Sequence, residues 1–327
     1  MRLLIVIVNY RTPGLVIDCL ASLAADIGTV PGTRVIITDS ASGDDSLPRL
    51  RGALAEHGWG SWAALMPLET NRGFAAGNDA AIRCALARSE KPQYLLLLNP
   101  DTVVYPGALQ ALVQFMDGHQ QAGIAGPRIE FADGTPQTSA FRFPTILSEL
   151  EGTVRLGLCT RVLRRWVVAP PPRTQPHAAD WVSACAVIVR REVFEQIGVL
   201  DEDYFMYYEE VDFCLRAAAA GWERWYVPSA RVVHLVGQAS GVTDRTRRKP
   251  RYWFDSRNRF YLKNYGRLYA LAANLAFAVG LVAWSVRRRL QRVPDCDPPH
   301  MLWDFVRQGL ARLPRLKPAA GNQSVSL

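Results

Sequence analysis

No CxxC pair, no GxGxxG fingerprint and no Walker-type phosphate loop occurs in the 327 residues. The first absence leaves six scattered cysteines, Cys19, Cys84, Cys159, Cys185, Cys214 and Cys296, mostly with apolar neighbours. They read as buried thiols of a reducing compartment, without disulfides or a zinc site. The other two absences discourage nicotinamide-dependent redox chemistry and ATP hydrolysis. Internal repeats are lacking too. The N-terminal apolar run Leu3 to Val8 has no small-residue cleavage site behind it and is followed by Asn9, Tyr10 and Arg11, so it reads as a buried strand rather than a signal peptide.

Acids are scarce after Asp212, whereas Arg and Lys crowd the stretch from Arg245 to Lys317, so the net charge of +8 sits towards the C-terminus. That asymmetry implies a polyanionic partner. Nucleic acid is set aside, because no base-reading module is recognisable; an anionic membrane surface fits a basic region that flanks an apolar stretch. The chain is long enough for one large domain and an appendage.

What is present is an alternation of short apolar runs with helical patterns. LLIVIV is followed by a helix after Pro13 and Gly14, RVIIT by a helix after Asp44, and YLLLL by a helix after Pro106. This pattern predicts an α/β fold, a mostly parallel central sheet with helices on both faces, and a ligand crevice beyond the strands' C-terminal ends. Polar residues stand at those ends: Asn9 and Tyr10, Asp39 to Ser42, and Asn99 to Asp101. From Gly134 to Ala179 the pattern loosens into a Pro- and Arg-rich connection, either a variable excursion or a lid. A strand and short helix follow in WVSACAVIVRREVF, then a helix closing at Gly221, then two short strands, ERWYV and ARVVHL.

Four groups of residues can carry chemistry. Asp101, in Asn99-Pro100-Asp101 after a buried strand, can bind a divalent cation that bridges a diphosphate, although the tripeptide suits a plain turn equally well. Glu209, Glu210 and Asp212 open a helix behind the aromatic run Tyr204 to Tyr208. They satisfy a helix dipole, and acids beside apolar groups also acquire the raised pKa of a general base. His234 ends the strand VVH, ahead of LVGQASG, and is either structural or a second metal ligand. In Asn71 to Asp79, two glycines at a helix start permit close backbone approach and amides turned to an anion.

Taken in order, VIVNYR, TDSASGD, TNRGFAAGND, LLLLNPD, FMYYEEVDFCLRAAAAGW and VVH resemble the family 2 glycosyltransferases of the GT-A type, especially their bacterial rhamnosyltransferase-like branch. The resemblance runs from about Leu3 to Leu262. It implies a glycosyltransferase domain over 1–245, with a nucleotide-sugar-binding half at 1–130 and an acceptor and catalytic half at 180–245, and a basic, helical, membrane-associated region at 246–327. It further implies that Asp39 reads a pyrimidine base, that Asp101 and His234 hold Mg2+ or Mn2+, and that Glu210 is the catalytic base. Glu209, Asp212 and Trp181 would support the acceptor or the base. Asn9, Tyr10, Ser40, Asn71, Gly73, Phe74, Gly77, Asn78 and Asn99 would line the nucleotide sugar.

Three positions depart from the family pattern, one of them the second acidic position, which is Glu210 where the family often has Asp. Asn99 replaces the first acid of the DxD-type motif, a variant common in the rhamnosyltransferase-like branch, and Ser40 replaces the usual Asn after the base-reading acid. The expected reaction is inverting transfer from a dTDP-linked sugar, rhamnose first, or a UDP-linked sugar such as galactofuranose, to a lipid-linked or growing polysaccharide acceptor. Loss of the acid at position 99 also admits a non-catalytic sugar-binding scaffold. The uncharged segment Leu268 to Val286, bracketed by Arg267 and by Arg287 to Arg289, is long enough to span a bilayer. Its Ala content, Asn274, Gly280 and basic ends instead suit a peripheral helix on the cytoplasmic side of the plasma membrane.

Overall fold

In the computed structural model the described residues are 1–235, 237, 247–295 and 297–310. The elements in chain order are β1 (Leu3–Asn9), α1 (Pro13–Asp26), β2 (Thr33–Asp39), α2 (Ser46–Glu56), β3 (Ala63–Pro67), α3 (Phe74–Leu86), β4 (Tyr94–Leu98) and β5 (Thr102–Val104). Then follow α4 (Ala108–Gly118), β6 (Ala122–Glu130), β7 (Pro136–Gln137), β8 (Ala140–Phe141), α5 (Ile146–Val154) and α6 (Gly157–Val162). The last are β9 (His177–Ala178), β10 (Trp181–Val182), β11 (Ala186–Arg190), α7 (Arg191–Ile197), α8 (Glu209–Ala219), β12 (Glu223–His234), α9 (Arg251–Gln291) and α10 (Met301–Asp304).

The chain forms two compact units. The first, Met1–Phe141, Pro171–Phe205 and Glu209–Gly241, holds the main sheet, in the order β3-β2-β1-β4-β11-β6-β12-β5. The four strands β3-β2-β1-β4 are mutually parallel, as is the pair β6 and β12. Antiparallel β11 joins these two parallel sets, which a reading of apolar runs does not reveal. Side chains alternate along β1. Leu3, Ile5 and Ile7 pack with Val16, Leu20 and Leu23 of α1, while on the other face Gly77 of α3 lies against Val8. Helices therefore cover both faces, and β1 up to Val8, β4, and residues 35–37 of β2 are buried and uniformly apolar, whereas Arg34 of β2 is exposed.

One boundary differs from the sequence reading. ERWYV and ARVVHL are not two strands but the single β12, whose register with β6 shifts between Val227 and Arg231. Pro228 cannot donate to a ladder, so the strand bulges there and resumes.

The second unit, Arg142–Pro170, Met206–Tyr208 and Val242–Leu327, is helical where described. The connection that the sequence left unassigned supplies α5 and α6 to it. Thr145 caps α5 by a reciprocal capping box with Ser148, a residue less diagnostic at that place than Glu or Gln. Within α9, Gly266 leaves helical geometry at φ 83°. The segments on either side of it meet: the Arg257 guanidinium donates to Asn274 Oδ1 at 2.7 Å, and Asn274 Nδ2 donates to Asn258 Oδ1 at 3.0 Å. Arg257 is fully buried and ion-paired with Glu149 of α5 at 3.0 Å.

Candidate active site

The register places the sequence-derived residues of the sheet at one edge. Asn9 of β1 stands opposite Asp39 of β2, and β4 continues from Leu98, opposite Ile7, into Asn99. Because β11 runs the other way, its start lies at this same edge, where the Asn99 amide donates to the Cys185 carbonyl at 2.8 Å. β12 arrives there too, with His234 opposite Thr102.

Asp39 is buried and heavily bonded. Its Oδ1 accepts from Asn9 Nδ2 and from Ser42 Oγ, each at 2.6 Å, and its Oδ2 accepts from the Ser42 amide at 3.1 Å. Asn9 Oδ1 in turn accepts from the Thr12 amide at 3.2 Å. Both strand-end turns are thereby fixed, and Arg11 and Ala41 within them hold positive φ, of 58° and 52°. Ser42, given no role of its own in the sequence reading, is the hub of this network, its amide and hydroxyl both donating to Asp39. Ser40 presents a buried hydroxyl that has no partner among the described residues, and Tyr10 is exposed with the Arg11 guanidinium 5.3 Å from its ring centre.

The start of α3 differs from expectation. The Gly73 amide donates to Asn71 Oδ1 at 2.9 Å and the Phe74 amide to the Phe205 carbonyl at 2.8 Å, so neither is turned to an anion. The close approach that Gly73 permits, at φ 94°, is that of the Phe205 backbone: a Cβ there would lie 2.0 Å from the Phe205 oxygen. Gly77 makes room for Val8 and the Ser40 hydroxyl, and Asn78 Nδ2 donates to the Phe74 carbonyl at 3.0 Å.

Asn99, Pro100 and Asp101 form a turn that Thr102 pins by donating to the Asn99 carbonyl at 2.6 Å. The turn also aims Asp101, which is buried, at His234, with Oδ1 and Nε2 3.3 Å apart. Two adjacent ligands of one octahedral cation, each about 2.1 Å from it, would lie roughly 3 Å apart. An oxygen and an imidazole nitrogen at 3.3 Å therefore fit a shared Mg2+ or Mn2+. No cluster of three or more such ligands occurs among the described residues, so water or a substrate phosphate would complete the shell. The stretch after His234 lies outside the described residues apart from Leu235 and Gly237, as does Cys296.

The three acids of α8 have three environments. Asp212 is a brace: it has no exposure, and its carboxylate accepts from Arg216 Nε at 2.9 Å and from the Tyr204 hydroxyl at 3.4 Å. Arg216 also holds the Ile197 and Val199 carbonyls, fixing the loop ahead of the acidic motif. Glu209 is buried in an apolar pocket with Phe74, Val182, Ala184, Leu200 and Phe213, and burial first, then the neighbouring Glu210, raises its pKa well above the ordinary value. Glu210 lines the same pocket and is half-buried. Trp181 stacks on Phe141, ring centres 4.1 Å apart.

Cys185 ties these groups together. Its thiol is pushed up to about 12, chiefly by burial and further by the negative charges of Asp101 and Glu210. The Cys185 carbonyl accepts from the Asn99 amide, and its neighbour Ala184 lines the pocket that holds Glu209 and Glu210.

Residues 4–198 match Glycosyl transferase family 2. The chain belongs to this family. The N-acetylglucosaminyl-diphospho-decaprenol L-rhamnosyltransferase of Mycobacterium tuberculosis is 34% identical over 151 residues, 45% of this chain and 48% of the relative. The rhamnosyltransferase WbbL of Escherichia coli is 27% identical over 167 residues, 50% of this chain and 60% of the relative. The chain thus spans about half the length of the curated relatives it matches.

Among solved structures, GalNAc-T7 with UDP, GalNAc and Mn2+ aligns with a TM-score of 0.57 at 14% identity, over 96% of this chain and 58% of that one. The mannosyltransferase PcManGT of Pyrobaculum calidifontis, in complex with GDP-Man and Mn2+, aligns at 0.55 and 14%, over 95% and 79%. These likenesses establish a GT-A-like fold for this family 2 glycosyltransferase.

Proposed function

We propose that this family 2 glycosyltransferase is an inverting, divalent-metal-dependent enzyme that moves L-rhamnose from dTDP-rhamnose to a hydroxyl of a lipid-linked or growing cell-surface glycan. The observation that carries the reading is the buried Asp101 set 3.3 Å from His234 beside the start of β11, where Asn99 bonds the Cys185 carbonyl and Ala184 lines the pocket that holds Glu210. A cation-holding acid and the half-buried Glu210 carboxylate of α8 are the two functions such a transfer needs. The choice of rhamnose and of a lipid-linked acceptor is supported by the names of the relatives. We assign 1–130 to the donor and 180–245 to acceptor and catalysis, with the protein on the cytoplasmic face of the plasma membrane.

The half-buried Glu210 accepts the proton of the acceptor hydroxyl as that oxygen bonds to the anomeric carbon and the bond from that carbon to the diphosphate breaks on the opposite face. Asp101 and His234 would hold the cation, whose charge stabilises the departing diphosphate. Asp39, fixed by Asn9 and Ser42, stands ready to accept a ring N–H of the pyrimidine; Ser40 and Tyr10 flank it. Burial and the neighbouring Glu210 raise the pKa of Glu209, which favours its neutral form beside the base.

The test is a screen of purified protein with dTDP-rhamnose and UDP-sugars, with Mg2+ or Mn2+ and after chelation. Release of dTDP from dTDP-rhamnose that chelation abolishes and added metal restores is the expected result. Release of UDP from a UDP-sugar alone would overturn the donor, and failure with every donor would favour a non-catalytic scaffold.

A further inference from the structure

The helical unit exposes more apolar surface than a soluble fold needs, and in an ordered way. Beyond Gly266, the exposed apolar side chains of α9 are Leu268, Leu271, Leu275, Val279, Val282, Val286 and, past the arginines, Leu290; between Leu268 and Val286 the one other exposed position is Ala283. The steps from Leu268 to Val286 are three, four, four, three and four residues, which is 18 residues in five turns. That is the period of a straight α-helix, so the stripe runs along one side for about 27 Å without winding around it.

The opposite side of α9 is already occupied. Asn274 bonds the buried Arg257, and Gly280 packs so closely on Thr153 of α5 that a Cβ would meet its hydroxyl at 1.9 Å. A spanning α9 would carry the Arg257–Glu149 ion pair and α5 into hydrocarbon with it, at a cost of several kcal/mol for each uncompensated ion.

A second surface adjoins the first. Arg155, at the end of α5, stacks on Trp284 of α9 at 5.1 Å, and its carbonyl accepts from Arg287. From there α6 and its flanks present Leu156, Leu158 (68% exposed), Val162 (69% exposed) and Trp166, interleaved with Arg161, Arg164 and Arg165. Residues 152–170 contain no acid, and neither do residues 256–294. A second copy of the chain is a poor cover for such faces. Pairing α9 with itself in either direction sets its basic ends, Arg267 and Arg287 to Arg289, against other arginines, of which Arg288 is paired with Asp295 of its own chain at 2.7 Å.

We propose that the helical unit docks on an anionic lipid bilayer through both surfaces, with the second segment of α9 lying in the plane of the membrane and α6 with Trp166 as a second point of insertion. The connection at 142–170 is then part of an anchor and not a lid. Apolar residues on one side of a helix with arginines at its borders are what binds the headgroup and acyl boundary, and a tryptophan suits that depth. This inference does not depend on which sugar is transferred.

Sedimentation of the full chain with vesicles of phosphatidylcholine, alone or mixed with phosphatidylglycerol, tests it. The protein is expected to pellet with the mixed vesicles only, and raised salt should release it. Leu271→Glu with Leu275→Glu, and separately Leu158→Glu with Val162→Glu, should each weaken binding at least tenfold, while donor hydrolysis and the circular dichroism spectrum stay unchanged. Arg51→Glu, on an exposed helix of the other unit, should not weaken it. Equal binding to neutral vesicles would overturn the anionic requirement, and wild-type binding by the α6 pair would remove the second surface. A dimer that dissociates with the α9 pair, without vesicle binding, would assign the stripe to a second copy. Retention of the wild-type chain in cell membranes through alkaline carbonate would overturn the in-plane placement.

Discussion

Glu209 and Glu210 are adjacent in sequence yet have separate surroundings, and their amide variants should separate them. Glu210→Gln keeps the shape of the base but cannot take a proton, so transfer should fall by roughly 10²–10⁴-fold with donor affinity little changed. If it transfers at the wild-type rate, Glu210 is not the base. Burial favours the neutral form of Glu209 in its apolar pocket, so Glu209→Gln removes little charge and transfer should be within a few-fold of wild type. The same burial makes a stability prediction. A carboxyl whose folded pKa lies above its unfolded value binds more protons folded than unfolded, so stability declines as pH rises from the unfolded value through the folded one. For Asp79, which accepts the Leu200 amide at 3.1 Å and is raised from 3.8 to about 7, chiefly by burial, that window is pH 3.8 to about 7. For Glu209 it begins at 4.5 and ends higher. Denaturant midpoints of wild type, Asp79→Asn and Glu209→Gln measured from pH 5 to 8 should show a flatter decline in both variants, and equal slopes in all three would contradict the burial of these groups.

At the scale of elements, α3 begins where it does because Gly73 lets the Phe205 backbone pass, and Gly73→Ala puts a methyl 2.0 Å from that carbonyl oxygen at a φ of 94°. The loop cannot keep both its place and its bond to the Phe74 amide, so a loss of about 1–3 kcal/mol is expected, read as a lower denaturant midpoint. Gly118→Ala, where nothing lies within 4 Å of the added methyl, should leave the midpoint nearly unchanged. This glycine also shows where a sequence stops being readable. TNRGFAAGND announces that something must pass close to a helix start, but whether a phosphate or another loop does so depends on residues 130 positions away. The apolar runs of β1 and β4 and of residues 35–37 in β2 were legible because both their faces are covered, and the strand ends were legible because the apolar run gives way there to polar residues that bond one another. The placement of β11 was not, since an antiparallel strand buried on both faces carries the same apolar run as a parallel one. For the same reason Asp212 could not be told from its neighbours: three acids in one helical turn look alike until Arg216 and Tyr204 are seen to take one of them.

For the molecule as a whole, two units with separate interiors imply two unfolding events. The sheet unit is held by strands and the aliphatic residues between them, whereas the helical unit surrounds a buried charge. Arg257 is 1% exposed, bonded to Glu149 and Asn274 and faced by the rings of Phe277, Tyr261 and Phe305 at 4.5–5.7 Å. Removing one partner of such a pair leaves the other charged in a dry interior, at about 3–5 kcal/mol, whereas replacing both by apolar residues of similar volume is close to neutral. Glu149→Leu should therefore destabilise the helical unit strongly, and Arg257→Met should do so as well, while the double variant should recover most of the loss. The sheet unit contains neither residue. Scanning calorimetry of the full chain should accordingly show two transitions, one lowered by each single substitution and restored in the double variant, the other unmoved and still responsive to nucleotide sugar. A single transition that shifts as one with Glu149→Leu would mean that the two units fold as one cooperative body.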